Sequence, residues 1–415
     1  MITFISIRYL LAHARQSIIC VTGVAISVSM FITMTAMMSG FTDKFIIETV
    51  ESSGHITIHD EPRQADTPIL EMHYPNAAGV LNLSGPKPRD TVEKIKNPTG
   101  LIAQLGRLPG VISASATVSG NAIVTYGTKT ATSTLIGIDP AKHLSVTTIG
   151  EDLTEGSFGR LQTTANGVVL GWGLASLIGA RLDDTITLSS PTGGRTTGRV
   201  VGIFQTGVTP VDYSRAYMLL NGAQTLLDKK NIVNEIVLRT ADYTQAREMA
   251  AQVESICGYK TESWQESNAN FLKIFRIQQI ITYIITGALM IVAAFGVLNI
   301  LIMAVLERVN DIAILKSFGL SRNDITRIYL IQGLVIGLIG STVGLAFGKV
   351  AVEVLRRIPI QMEGLVKAEG LLMSEHRENY VASFFISLII VMIAAVYPAQ
   401  RAASFDPVEV IRGAR

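Results

Sequence analysis

The 24 residues Ser17 to Gly40, SIICVTGVAISVSMFITMTAMMSG, decide the fold class of this chain. They include no charged side chain, and a helix of this length, rising about 1.5 Å per residue, can cross a hydrocarbon core about 30 Å thick. The stretch is also longer than the apolar part of a cleavable signal peptide. We therefore interpret it as a membrane anchor that is not removed.

Three further apolar stretches lie in the last third of the chain, and residues 41–278, which separate them from the first, are mostly polar. A mean hydropathy of +0.38 and 16% charged residues are typical of a membrane protein, because soluble proteins average about a quarter charged. The pattern predicts an α-helical membrane protein with four transmembrane helices and a large α/β domain between the first two. The predicted segments are an amphipathic interfacial helix at 1–16, spans at 17–40, 279–305, 328–350 and 380–397, a short helix at 306–327, a loop at 351–379 and a tail at 398–415.

The distribution of Lys and Arg predicts that both termini are cytoplasmic. Basic residues cluster before the first span, between the second and third, and after the fourth, and the side rich in Lys and Arg usually stays inside. The basic residues counted for that side are Arg8, Arg15, Arg308, Lys316, Arg322, Arg327, Arg401, Arg412 and Arg415. The large domain then lies on the opposite side of the membrane.

The large domain is predicted to be built from two helix-then-strand units, beginning at Pro98 and Thr244, with a β-rich module inserted at about 132–239. Residues 60–96, rich in Pro, Asn and Gly, are expected to form an irregular insertion. The histidines of this domain, His55, His59, His73 and His143, lack metal-ligand spacing, and we expect His55 and His59 to be exposed on a strand.

No phosphate-binding loop motif occurs in the sequence, so any nucleotide would be bound by another chain. The net charge of +2 gives no indication of a nucleic-acid partner, and the two cysteines imply no disulfide framework.

Two cytoplasmic segments carry a family resemblance. ERVNDIAILKSFGLS at 307–321 and YPAQRAASFDPVEVIR at 397–412 resemble the signature of the ABC permeases that include FtsX, MacB and the lipoprotein-releasing Lol permeases. Within the large domain, LIGIDP and VVLGWGLASLIGARLDDTITL look most like the LolC and LolE subfamily. The resemblance implies a MacB-like external domain in a bacterial inner-membrane protein.

The segment 306–327 resembles the family's coupling helix, which docks on a cytoplasmic ATPase. For that joint we expect an apolar ridge of Ile312, Leu315 and Phe318 with Gly319 ending the helix. The flanking charges would orient it: Glu307, Arg308, Asp311 and Lys316. The alternative from the residues alone is an amphipathic helix that rests on lipid headgroups. If the segment docks on an ATPase, this chain is expected to bind no cofactor, and ATP and Mg are bound by the partner ATPase.

Two side-chain patterns lie within the spans. Glycines recur mostly every four residues in the third span, at Gly333, Gly337, Gly340, Gly344 and Gly348, which favours close packing against another helix over mere tolerance of Gly. Methionines mark one face of the first span, at Met30, Met34, Met37 and Met38. This face is a candidate surface for acyl chains, although a lipid-facing or core stripe is the more common explanation.

The resemblance implies a permease subunit that works with a second permease subunit, the same chain or a homologue, and with a dimer of a LolD-like ATPase. We expect it to extract lipoproteins from the outer leaflet toward a periplasmic carrier. The alternatives are a MacB- or DevC-like permease of a tripartite efflux pump with a periplasmic adaptor, and an FtsX-like transducer of cell-wall hydrolase activity. The turn at 189–198 is shorter than the carrier-binding hairpin of LolC-type permeases, which puts direct carrier binding by this subunit in doubt.

Overall fold

A computed structural model describes residues 2–12, 14–60, 94–358, 361–362, 368–411 and 413. Most of the insertion predicted at 60–96, with His73, and the terminal Arg412 and Arg415 lie outside these residues. The chain divides into a membrane unit, comprising 1–44, 273–362 and 368–415, and a soluble unit that includes 45–272.

The described helices are α1 Ile2–Ala12, α2 Ala14–Ser53, α3 Pro98–Leu105, α4 Pro140–Val146, α5 Arg160–Thr163, α6 Trp172–Ile178, α7 Thr209–Ser214, α8 Leu220–Leu226, α9 Ala246–Cys257, α10 Trp264–Ser267, α11 Ala269–Glu307, α12 Val309–Ser317, α13 Arg322–Arg356, α14 Arg377–Ser404 and α15 Pro407–Ile411. The described strands are β1 Ile56–His59, β2 Val111–Tyr126, β3 Lys129–Ile138, β4 Leu153–Gly156, β5 Gly167–Gly171, β6 Thr185–Ser189, β7 Arg195–Phe204, β8 Arg215–Leu219, β9 Glu235–Thr240, β10 Lys260–Ser263, β11 Gln361–Met362 and β12 Ala368–Glu369.

Four helices of the described chain, α2, α11, α13 and α14, are long and apolar enough to cross a membrane. They contain the four predicted spans and are longer than each of them. The first continues past Gly40 to Ser53 because the polar residues that follow are compatible with a helix, and it ends before Gly54, whose φ of +78° a helix does not allow.

The N-terminal helix α1 packs against the third span instead of lying only on lipid. The hydroxyl of Ser6 is buried and donates to the carbonyl oxygen of Ile328 at 3.0 Å. The opposite side of α1 exposes Phe4, Ile7 and Leu11. An exposed apolar stripe at this spacing is suited to the membrane interface.

The soluble unit contains one ten-stranded sheet of two parts that share the long strand β2. The first half of β2 pairs with β9, next to β1 and β10, and the second half pairs with β3. Beyond β3 the pairings run through β8, β5, β7 and β6 and return to β2, so these six strands close on themselves as a small barrel.

These elements confirm the predicted fold class. The helix-then-strand units are α3 with β2 and α9 with β10, as expected. The bounds of the inserted module differ from 132–239, since the barrel already begins in the second half of β2 and β9 belongs to the other part of the sheet. The reason is that β2 runs without interruption through both parts, which a turn-based reading of the sequence could not detect.

Candidate functional site

The segment between the second and third spans forms a single short helix, α12. It spans Val309–Ser317, and is therefore shorter than the predicted 306–327. It ends because Gly319 adopts a φ of +96°, which a residue with a Cβ atom rarely adopts. The next helix then starts at once, with Ser321 and Asp324 forming a capping box at its N-terminus.

The apolar residues of α12 divide between two opposite faces. Ile312 is 1% exposed and Leu315 is half-buried, and both pack in the cytoplasmic-side core of the membrane unit. The other partners there include Ala399, Ala402, Ala403 and Phe405. The prediction of an exposed ridge is therefore wrong for Ile312, which is buried within this chain. Leu315 is only partly exposed, because it packs against the same cluster.

The exposed face of α12 carries Ile314, 49% exposed, and Phe318, 82% exposed just after the helix. These residues are four apart, so they lie on one side of the helix. Phe318 was predicted, whereas Ile314 was missed. The sequence has two equivalent apolar pairs, Ile312 with Leu315 and Ile314 with Phe318, and spacing alone does not tell which pair faces inward. Asp311 and Glu307 are exposed near the helix start.

The two basic residues of this segment make contacts within the chain. Arg308 is buried, its guanidinium lies 4.0 Å from the centre of the Tyr9 ring, and it donates to the Tyr9 carbonyl oxygen at 3.4 Å. Lys316 Nζ donates to the carbonyl oxygens of Ala403 and Phe405 at 2.6 and 2.7 Å. Arg308 is therefore not an exposed flanking charge, and Lys316 is half-buried against the end of α14. Their role in orienting an ATPase stays a prediction.

The glycines of the third span face two different helices. An added Cβ at Gly333 would lie 2.5 Å from Ala395 Cβ, and one at Gly337 would lie 3.0 Å from Leu388 Cδ1, both on α14. At the other three positions the neighbour is α2: Gly340 faces Val24, Gly344 faces Val28 and Gly348 faces Ile32. Contacts this short leave no room for a side chain, so the small residues allow α13 to approach both neighbours.

The methionines of the first span do not form one surface. Met30 and Met37 are exposed, Met34 is half-buried, and Met38 is 8% exposed in the interior of the unit. Only Met30 lines an apolar groove of about 490 Å³ between α2 and α13. The remaining lining residues are Val21, Thr22, Ala25, Ile26, Ser29, Thr33, Val343, Phe347 and Ala351. Its size is within the usual range for ligand sites.

Within the soluble unit, His55 and His143 are buried. His55 was expected to be exposed, but it is buried before β1 and shares a hydrogen bond of 2.8 Å with the Thr240 hydroxyl. Burial lowers the pKa of His143 to about 4. His143 borders a cavity of about 330 Å³ whose lining mixes apolar side chains with several Ser and Thr residues. Among the described residues, no group of three His, Cys, Asp or Glu side chains is arranged to hold a metal ion.

Two carboxyl groups lie beside this barrel, of which Asp212 is buried and Asp152 is half-buried. Asp212 accepts hydrogen bonds from Thr206 N and Oγ1, both at 2.8 Å, and from Gly207 N at 3.1 Å. Burial, aided by the nearby Glu48 and Asp212 carboxyls, raises the pKa of Asp152 to about 6. The pKa of this carboxyl therefore lies above the ordinary range of an aspartate.

The connection between β6 and β7 comprises only residues 190–194. Ser190 N donates to the Gly194 carbonyl oxygen at 2.7 Å, and Gly193 adopts a φ of +95°. This is a tight turn, as expected from the sequence, and no hairpin protrudes from the described residues at this place.

Comparison with known families gives two matches. The model described as MacB-like periplasmic core domain matches residues 17–256, and the model described as FtsX-like permease C-terminal matches residues 283–407.

Among similar proteins, the lipoprotein-releasing system transmembrane protein LolC of Neisseria meningitidis is 24% identical, and the alignment covers 99% of this chain and 98% of that protein. LolE of Haemophilus influenzae is 25% identical, with 78% and 83% covered. Among solved structures, the periplasmic region of MacB from Actinobacillus actinomycetemcomitans matches with a TM-score of 0.32 and 14% identity, covering 55% of this chain and 97% of that one.

Proposed function

Because this chain belongs to the family of FtsX-like permeases with a MacB-like periplasmic core domain, we propose that it is the permease subunit of an ATP-driven transporter that releases lipoproteins from the inner membrane. The observation that carries the proposal is the similarity to LolC, a protein of a lipoprotein-releasing system, over 99% of this chain. A match of this extent includes all four spans and the soluble unit.

The chain is a multi-pass membrane protein with a periplasmic domain, and we infer that both termini are cytoplasmic. The inference rests on the Lys and Arg residues around α12 and both chain ends. With this orientation α12 faces the cytoplasm. A reporter that is active only in the cytoplasm should therefore be inactive when it is fused after Gly150. Activity of this fusion would show that the orientation is the reverse of the one inferred.

We assign ATP binding to a separate ATPase, which holds ATP and Mg, and no enzymatic step to this chain. Ile314 and Phe318 form the contact, since they are the apolar side chains that α12 leaves exposed. The assembly would contain two ATPase copies and two permease subunits, this chain twice or this chain with a homologue. ATP binding moves α12, and the membrane unit passes the movement to the periplasmic domain without cargo crossing the bilayer, a mode called mechanotransmission.

The lipid-modified end of the cargo requires an apolar site. Each buried CH₂ contributes about 0.8 kcal/mol, so one long acyl chain resists transfer to water by about 10 kcal/mol. The groove between α2 and α13 is a suitable acyl-chain site, because its lining is apolar apart from a few hydroxyl groups. It replaces the four-methionine stripe as the candidate substrate-contact surface, with Met30 as the methionine retained.

Transfer to a periplasmic carrier would depend on another surface or on the second subunit. The tight turn between β6 and β7 offers no extended hairpin to a carrier. A carrier or adaptor is therefore a partner of the assembly, bound at a place other than this turn.

The cargo is tested by depleting the chain in its host. We expect triacylated lipoproteins destined for the outer membrane to accumulate in the inner membrane. Normal lipoprotein localisation together with drug sensitivity or loss of peptide export would replace this proposal with an efflux function, and an isolated cell-separation defect would favour a hydrolase transducer.

The groove is tested by complementing the depleted cells with Ser29→Trp, which fills it. The matched control is Met37→Trp, which adds the same side chain to an exposed position of α2 outside the groove. We expect only Ser29→Trp to impair release. Equal release by both variants would exclude the groove.

A further inference from the structure

Lys316 connects the short helix α12 to the end of the fourth span. Its ammonium donates to the carbonyl oxygens of Ala403 and Phe405, 87 and 89 residues further along the chain. Ala403 lies in the last turn of α14 and Phe405 is its C-cap. The last carbonyl groups of a helix have no partner within it, and a cation placed there also interacts favourably with the helix dipole.

Packing on the same side of α12 strengthens this connection. Ile312 and Leu315 belong to the same hydrophobic cluster as Ala399, Ala402 and Ala403 of α14, and small side chains allow two helices to approach closely. The C-terminal helix α15 also packs against α12. At 3.6 residues per turn, Ile312, Leu315 and Lys316 share one face of α12, whereas Ile314 and Phe318 lie on the opposite face.

α12 therefore has two different surfaces. The outer surface is exposed, and the inner surface is held by the Lys316 hydrogen bonds to the end of α14. A movement imposed on the outer surface of α12 can therefore displace the fourth span through the Lys316 hydrogen bonds.

We propose that Lys316 is a positioning residue that locks the coupling helix to the cytoplasmic end of the fourth span, so that an ATP-driven movement of α12 is transmitted to α14. This inference rests on the proposed function for its energy source. Lys316 itself touches neither nucleotide nor cargo. Its two hydrogen bonds make α12 and the end of α14 move as one body.

The test compares Lys316→Met with Lys316→Arg and Arg401→Met in the complete transporter. Methionine retains the apolar stem and removes the donors, and arginine restores a donor. Arg401→Met removes a positive charge from an exposed position near the same end of α14 without touching these carbonyls. We measure ATPase copurification, ATP hydrolysis, and ATP-dependent release of a triacylated lipoprotein from proteoliposomes.

We expect Lys316→Met to retain the ATPase and hydrolyse ATP while release falls about tenfold or more, as the loss of two charge-assisted hydrogen bonds implies. Lys316→Arg should recover most of the release, and Arg401→Met should match the parent chain. Release by Lys316→Met at the parent rate would overturn the proposal. Loss of ATPase binding by Lys316→Met would also overturn it, since Lys316 would then belong to the docking surface.

A structural readout separates this inference from the proposed function. Spin labels at Ser317→Cys and Val396→Cys, in a chain with Cys20→Ala and Cys257→Ser, report the distance between α12 and α14. The distance distribution should be narrow with Lys316 and broad with Lys316→Met, whatever the cargo is. Equal distributions would refute the lock even in a transporter that releases lipoproteins, and broadening in a chain that releases none would refute only the proposed function.

Discussion

Replacing Gly344 by leucine tests how the first and third spans pack. A Cβ atom at this position would lie 2.7 Å from Val28 Cβ and 2.8 Å from the Ala25 carbonyl oxygen. The second contact is with backbone, which cannot move by changing a rotamer. A leucine therefore forces α2 and α13 apart. Gly287→Leu is the matched control, because an added Cβ there meets no atom within 4 Å.

The expected magnitude follows from two opposing effects. Removing a glycine from a helix interior stabilises it by about 1 kcal/mol, and this gain is common to both variants. Overpacking a close contact costs about 1–3 kcal/mol, sometimes more, and occurs only at Gly344. Leucine adds three carbons beyond the clashing Cβ, so we expect Gly344→Leu to be about 3 kcal/mol less stable than Gly287→Leu.

The assay is equilibrium unfolding of the two variants and the parent chain in mixed detergent micelles. Gly344→Leu should unfold at the lowest denaturant fraction, and Gly287→Leu at or above the parent value. A difference below about 0.5 kcal/mol between the variants would refute the close packing of α2 on α13, since that is the range of substitutions that disturb nothing.

Three further predictions address other parts of the chain. Phe318→Asp should reduce ATPase copurification at least about a hundredfold while the chain remains folded, because it buries an unpaired charge in the contact with the ATPase. Ile312→Asp, in contrast, should prevent folding. Normal ATPase binding by Phe318→Asp would exclude the exposed face of α12 as the ATPase contact. The pKa of Asp152 is raised in the folded protein, so this carboxyl stabilises the fold at pH values below its unfolded-state pKa of about 4, and the contribution is lost as pH rises through about 6. Asp152→Asn should therefore stabilise the protein at pH 8 but not at pH 4. An equal effect at both pH values would contradict the raised pKa. Asp212→Ala leaves the Thr206 and Gly207 N–H groups without this acceptor and should destabilise the soluble unit by about 3 kcal/mol, measured by tryptophan fluorescence because both tryptophans lie in that unit; an unchanged unfolding midpoint would show that these hydrogen bonds contribute little.

The number of spans and the class of the soluble domain could be predicted because each depends on local composition. A long apolar run without charge is stable in the hydrocarbon core of a membrane, and helices and strands differ in the period of their apolar residues. The helix bounds could not be predicted to the residue. The segment after Gly40 is polar but helical, so hydropathy ends the span before the helix ends.

The faces of the helices could not be predicted, because burial depends on partners distant in sequence. Ile312 and Ile314 are the same residue type on one short helix, and only Ile312 joins a cluster that includes alanines about 90 residues later in the chain. The contacts of Lys316 could not be predicted either, because its acceptors are backbone carbonyl groups, which every residue has and no sequence motif marks. The glycines of the third span were identified as packing residues, but their division between α14 and α2 depends on where each helix crosses.

Reconstitution shows whether ATP-driven movement of this permease releases lipoproteins. The chain, its ATPase and any second permease subunit are placed in proteoliposomes with a triacylated lipoprotein, and lipoprotein transferred to an added periplasmic carrier is measured with and without ATP. We predict release that requires ATP and that is lost when Phe318→Asp disconnects the ATPase. ATP hydrolysis by the intact assembly without any release of lipoprotein would contradict the claim.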